Sequence, residues 1–163
     1  MPTDLDDIDR AILTILQADG RITNADLARA VSLSPAAMHA RVRRLERHGL
    51  IRGYVAIVDR ERAGFDLLCF VSVSLQLHRP SLVASFPERV GSIPEVLEVH
   101  HVTGEYDYLL KIAVRNRHDL ERFIVERLTP LPGVAKVQTS LVLRELKATT
   151  ALPLAPAPTG GPR

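Results

Sequence analysis

The sequence has a single cysteine, Cys69, in 163 residues. A lone thiol excludes an intramolecular disulfide and a zinc site built on cysteines. Long apolar runs are missing too. The longest candidate, around residues 65–73, is about half the roughly 18 residues a membrane span needs. The opening Met1-Pro2-Thr3-Asp4 is acidic and lacks the apolar stretch of a secretory signal, so a cytoplasmic protein with no membrane partner is expected. Charge of one sign is absent overall: the net charge is +2, which by itself names no partner. Catalytic signatures are absent as well, with no G-x-S-x-G elbow, no G-x-G-x-x-G and no P-loop. Neither an enzyme nor a cofactor is expected. His100-His101 is the one tempting pair, but neighbours in a strand point to opposite faces and cannot chelate one metal together.

What is present is ordinary for a globular protein. Apolar residues make up 46% and charged residues 25%, enough for one mid-sized domain or two small ones. Three zones follow one another. Residues 4–64 read as three helices. Leu5, Ile8, Ile12, Leu13, Ile15 and Leu16 have helical spacing, with acids at the positive end of the helix dipole and Gly20 as the expected stop. Thr23 opens a second helix with Asp26 three residues on, close to a capping box. Ser34-Pro35 opens a third, with serine as N-cap and proline at the first helical position, and Gly49 ends it. The alternation at Ile51, Tyr54, Ala56 and Val58 predicts a short hairpin or strand around Gly53.

Residues 65–148 change character. Strands are expected at 67–77, 96–103, 108–114 and 134–146, and helices at 81–90 and 118–131. The order βαββαβ is the ferredoxin-like arrangement, with both helices on one face of an antiparallel sheet. Residues 149–163 hold four of the eleven prolines and two of the nine glycines and read as a disordered tail. The fold class is therefore α+β: a (winged) helix-turn-helix domain, then a ferredoxin-like domain.

The basic residues are 18 arginines and 3 lysines. A GC-rich genome also produces that bias, so position matters more than number. Residues 34–52 carry Arg41, Arg43, Arg44, Arg47 and Arg52 against Glu46 alone, whereas acids crowd the first helix. Met38, Val42 and Leu45 form a core stripe on the third helix. Ala36, Ala40, Arg43 and Arg47 lie opposite, with His39 and Arg44 flanking. Small residues at its N-terminal end (Ala36, Ala37, Ala40) permit close approach to base edges in duplex DNA. Thr23, Ser34 and Pro35 sit at helix starts, where a cap and a phosphate contact are compatible. Arg41 suits either an intramolecular salt bridge or a phosphate, and Arg52 with Tyr54 could touch the backbone as a wing. Cys69, inside an apolar strand, reads as buried and inert. The turn at 103–108 gathers Gly104, Glu105, Tyr106 and Asp107. Either it is a plain hairpin loop, or its carboxylates and glycine-flanked amides suit a zwitterion.

These residues resemble the Lrp/AsnC (feast/famine) transcription regulators. The resemblance rests on the 6–16 opening, Asp19-Gly20-Arg21, Ser34-Pro35, 41–46, Gly49 with Ile51 and Gly53-Tyr54, the HVTGEYDYLLKI segment and the closing LPGVAKVQTSLVL. It covers about residues 4–148. It implies a bacterial, nucleoid-associated regulator with its helix-turn-helix at 24–43. It further implies dimers joined through ferredoxin-like domains, often assembled into octamers, and an amino acid bound between dimers. Gly104, Tyr106 and Asp107 match the family's effector turn, with Gln138, Thr139 and Ser140 a weaker match. The alanine-rich start of the third helix departs from the pattern, leaving specificity to Arg43, His39 and DNA shape. Two other functions stay open at this point: an architectural DNA-binding protein without effector, and an enzyme similar to sirohaem decarboxylases using His100 or His101.

Overall fold

The computed structural model describes residues 5–76 and 80–154. The chain divides into two units. One runs up to Ile57 and includes the returning segment from Lys147; the other is Val58–Leu146. The boundary thus falls seven residues before the expected one, and the C-terminal segment rejoins the first unit. No helix among the described residues is long and apolar enough to cross a membrane.

The first unit holds α1 (Asp7–Ala18), α2 (Asn24–Ala30) and α3 (Pro35–Arg47). Each starts on the cap its sequence supplies. Asp6, Thr23 and Ser34 accept the backbone N–H groups of Asp9, Asp26 and Ala37, groups with no partner inside the helix. The helix ends differ more. Gly20 does not stop α1; Asp19 caps it in an extended conformation, its N–H bonded to Ile15 O at 2.8 Å. Helices α2 and α3 both end in Schellman motifs. After α3, Gly49 takes the left-handed conformation (φ 72°), with Gly49 N–H to Glu46 O and Leu50 N–H to Leu45 O. After α2, Ser32 does the same at φ 56°, although it has a Cβ. Ile12, Leu13, Leu27, Ala28, Met38, Val42 and Leu45 form the core.

Two expectations change here. Residues 52–58 form no strand or hairpin. The segment is extended, Val55 and Ile57 are almost fully exposed, and Tyr54 turns back to donate to Glu46 Oε1 at 3.2 Å. Residues 149–154, expected in a disordered tail, are irregular but docked. Leu152 N–H donates to Gln17 Oε1 at 2.6 Å, Gln17 Nε2 donates to Leu152 O at 3.2 Å, and Leu154 packs on the helical core. The rest of the expected tail lies outside the described residues.

The second unit follows the order β1 (Leu67–Leu75), α4 (Pro80–Gly91), β2 (Val96–His101), β3 (Tyr108–Val114), α5 (Arg117–Arg122) and β4 (Val134–Leu141). The expected strand end at Leu77 and the Leu82 and Val83 side chains fall outside the described residues. The sheet order is β2-β3-β1-β4 with every pair antiparallel, as the βαββαβ pattern requires. Alternate residues of β1 (Cys69, Val71, Val73, Leu75) point inward against Phe86, Val90, Phe123 and Leu128. The second helix is not α-helical throughout. Phe123–Leu128 is a π-helical segment in which Thr129 N–H reaches Ile124 O at 2.9 Å. The wider i→i+5 turn lets Phe123 and Leu128, five residues apart, both enter the core.

Candidate DNA-binding face and effector turn

Helix α3 has three faces. Met38, Val42 and Leu45 are buried. Ala36, Ala40, Arg43 and Arg47 are exposed on the opposite side, and among the described residues neither Arg43 nor Arg47 has an ion-pair partner. Thr23, Ser34, Pro35, Ala37 and Arg52 are exposed as well. His39, on one flank, lies 3.4 Å from Asn24 Nδ2 and ties α3 to α2.

The other flank is tied to α1. Arg44, its side chain 40% exposed, has its guanidinium held by Asp9 Oδ2. Arg41 joins it, donating to Asp9 Oδ1 at 2.8 Å and to Asp6 Oδ2 at 2.6 Å. Asp9 is 1% exposed and is the one buried charged residue among those described. The Asp9 amide, followed by Arg41, holds the Asp6 carboxyl below the ordinary aspartate range, while Asp6 and then Asp9 raise Arg41. Sequence reasoning offered Arg41 an intramolecular salt bridge, which is present, but it placed the acids of α1 at the helix dipole and so missed Asp6 and Asp9 as the partners and Arg44 as the second arm. Asp6 and Asp9 are one turn apart, as are Arg41 and Arg44, and that matched spacing was the available signal.

The 103–108 turn is anchored from within. Asp107 Oδ2 accepts Leu75 N–H at 2.7 Å, where β1 slips by one residue against β4. Asp107 also donates its own N–H to Val73 O and accepts Val102 N–H, each at 3.0 Å. Gly104 has φ 122°, a conformation side chains resist, and open space where a Cβ would sit. The Tyr106 hydroxyl donates to Gln138 Oε1. Lys136, which sequence reasoning did not select, donates to Glu105 Oε1 at 2.9 Å, and its Nζ stands 5.0 Å from the centre of the Tyr106 ring. This pairing lowers Glu105 and raises Lys136. The clue was spacing: Lys136 lies two residues before Gln138 and shares its face of the strand. Thr139 and Ser140 continue along β4 opposite Val71 and Phe70, and among the described residues share no hydrogen bond with the turn. Gly104, Glu105, Tyr106, Asp107 and Gln138 are thus brought together, and Thr139 and Ser140 are not.

Other candidates fall away by position. His100 bonds to Glu98 at 2.9 Å while His101 stacks on Tyr108 at 4.9 Å, so the two imidazoles have separate partners. Cys69 is fully buried, and burial pushes its thiol up, away from the reactive thiolate.

Comparison with known proteins agrees with both units. Residues 5–52 match the winged helix-turn-helix DNA-binding family model, and residues 68–152 match the Lrp/AsnC ligand binding domain. The leucine-responsive regulatory protein of Escherichia coli is 42% identical over 149 residues, covering 91% of each chain. The transcriptional regulator AldR of Mycolicibacterium smegmatis is 40% identical over 149 residues, covering 91% of this chain and 87% of that one. A Neisseria meningitidis transcriptional regulator solved with L-methionine superposes with a TM-score of 0.88 at 37% identity, covering 93% of this chain and 97% of that one. These relatives are regulators rather than enzymes. With a helix-turn-helix unit and a ligand-binding unit in that order, the chain belongs to the Lrp/AsnC family of transcription regulators.

Proposed function

We propose that this regulator reads specific DNA sequences with α3, and that an amino acid held at the 103–108 turn, between dimers, modulates its assembly or its DNA binding. The observation that carries the DNA reading is the face of α3 opposite its core, where Arg43 and Arg47 are exposed and uncommitted beside Ala36 and Ala40. Small residues admit the helix to the major groove, and the arginines are then free for phosphates or guanine edges. Thr23, Ser34, Pro35 and Ala37, at helix N-termini, together with His39 and Arg52, complete the contact set.

The effector reading rests on opposite charges at one turn. Lys136 suits a carboxylate and Glu105 an ammonium, with Gly104, Tyr106, Asp107 and Gln138 around them. The Neisseria relative was solved with L-methionine, which supports an amino acid as the ligand class. Oligomerisation, as dimers assembling to octamers, is supported by apolar side chains left in water. Ile57 and Leu143 are each 93% exposed, and Phe70 and Leu97 open on the sheet. A cytoplasmic, nucleoid-associated location follows from this function.

The test has two arms. Duplexes are selected from a random pool by the full-length protein, and Arg43→Ala with Arg47→Ala is compared with wild type. Affinity is expected to fall at least about tenfold, with the salt slope flatter by about 0.9 for each phosphate the variant no longer neutralises. Unchanged affinity refutes the assigned face. In parallel, a thermal-shift screen runs the twenty amino acids. A ligand at 100 times its Kd adds about 2.7 kcal/mol, a clear melting shift. No shift with any amino acid at millimolar concentration refutes the effector class.

A further inference from the structure

We infer that Asp9 is a positioning residue for DNA recognition: it holds α3 at a fixed roll about its own axis by pinning Arg41 and Arg44, two arginines that are therefore not used on DNA. The inference rests on α3 being the DNA-reading helix.

Asp9 sits on α1 with its side chain 1% exposed, and its two oxygens take different arginines: Oδ1 takes Arg41 and Oδ2 takes Arg44. Arg41 and Arg44 are one turn apart, about 4.5 Å along the axis of α3. A single bond would be a pivot, whereas two bonds spaced along the axis resist both rolling and sliding. Asp6 adds a third anchor. It caps the Asp9 N–H at 2.7 Å and takes Arg41 at 2.6 Å, so the start of α1 and the side of α3 form one network. Arg44 Nε is buried and has no hydrogen-bond partner among the described residues, so Asp9 is what holds this fork.

The apolar stripe of Met38, Val42 and Leu45 turns one face of α3 to the core and so sets its roll coarsely, and the two charged hydrogen bonds, being directional, narrow it further. Roll matters for base reading. At a helix radius of about 5–6 Å, a 20° roll carries a side chain about 2 Å sideways. Hydrogen bonds to base edges tolerate only a few tenths of that distance. Contacts with phosphates by flexible arginines tolerate far more. Loss of the Asp9 anchor should therefore cost sequence discrimination while leaving non-specific binding intact.

The test uses the full-length protein, a duplex selected by wild type from a random pool, and sheared genomic DNA as the non-specific probe. Asp9→Asn frees Arg44. The expected result is a discrimination ratio reduced about five- to hundredfold, the worth of roughly one good base contact. Binding to sheared DNA is kept, with a salt slope steeper by about 0.9. A simple loss of fold would weaken both probes together and shows in far-UV circular dichroism. Arg44→Gln decides the matter in that event, since Asp9 keeps Arg41. It is expected to lower the ratio without changing the slope on sheared DNA. A slope flatter by about 0.9 in Arg44→Gln makes Arg44 a phosphate contact and overturns the proposal. So does an unchanged ratio in a folded Asp9→Asn. Failure of wild type to select any duplex overturns the DNA reading instead.

Discussion

Asp107 stands at the proposed effector turn, yet its carboxylate is already engaged by Leu75 N–H at 2.7 Å, at the irregularity between β1 and β4. Asp107→Ala removes that acceptor and leaves the Leu75 amide without it beside a side chain only 6% exposed. An unsatisfied, partly buried donor costs about 1–3 kcal/mol. In a unit the size of Val58–Leu146, each 1 kcal/mol lowers the Tm by about 4–8 °C, so a drop of roughly 5–20 °C is expected. Asp107→Asn keeps an oxygen in place. It loses only the difference between a charged and a neutral acceptor, about 1 kcal/mol. Differential scanning calorimetry at fixed protein concentration should rank wild type above asparagine and asparagine above alanine. Equal melting of the two variants would refute the anchoring role. The asparagine variant then separates structure from ligand: it keeps the turn but loses the Asp107 charge, which would act together with that of Glu105 on an effector ammonium. Disappearance of the amino-acid melting shift with little change in stability is the expected signature.

Two further outcomes follow from the helical unit. Ser32 is left-handed at φ 56° and Gly49 at φ 72°, so exchange at the two sites should have opposite signs. Ser32→Gly should stabilise by about 0.5–1 kcal/mol and Gly49→Ala should destabilise by about 1 kcal/mol in urea titrations; equal signs would contradict the two Schellman ends. The Asp6 carboxyl is held low by the Asp9 amide and by Arg41. A folded value below the unfolded one stabilises above the unfolded value, about 3.9, and that contribution disappears as pH falls through the folded value. Arg41→Gln should move the Asp6 titration, followed by carboxyl NMR, back toward the ordinary range; no movement would contradict the pairing.

The sequence by itself determined the order of the three helices and of the βαββαβ unit, the starts of the second and third helices and the burial of Cys69 within β1. These depend on neighbours within a few positions: a serine before a proline, a threonine three residues before an aspartate, alternation along a strand. Helix ends were less legible, because Gly20 and Gly49 look alike and only Gly49 is used in the left-handed conformation. Only the tertiary structure decided which groups far apart in the chain meet. Asp9 and Arg44 are 35 residues apart, Asp107 and Leu75 are 32 apart, and Gln17 and Leu152 are 135 apart. A sequence shows that such groups carry complementary charge or hydrogen-bonding capacity, but partner choice is set by packing. The same holds for the π-helical segment at 123–128, where two core side chains five residues apart override the α-helical period. It holds too for the 52–58 segment, whose alternation fits a strand, although no partner strand lies beside it among the described residues. Local chemistry therefore selected the elements, and long-range packing selected which of their charged groups remain free to act.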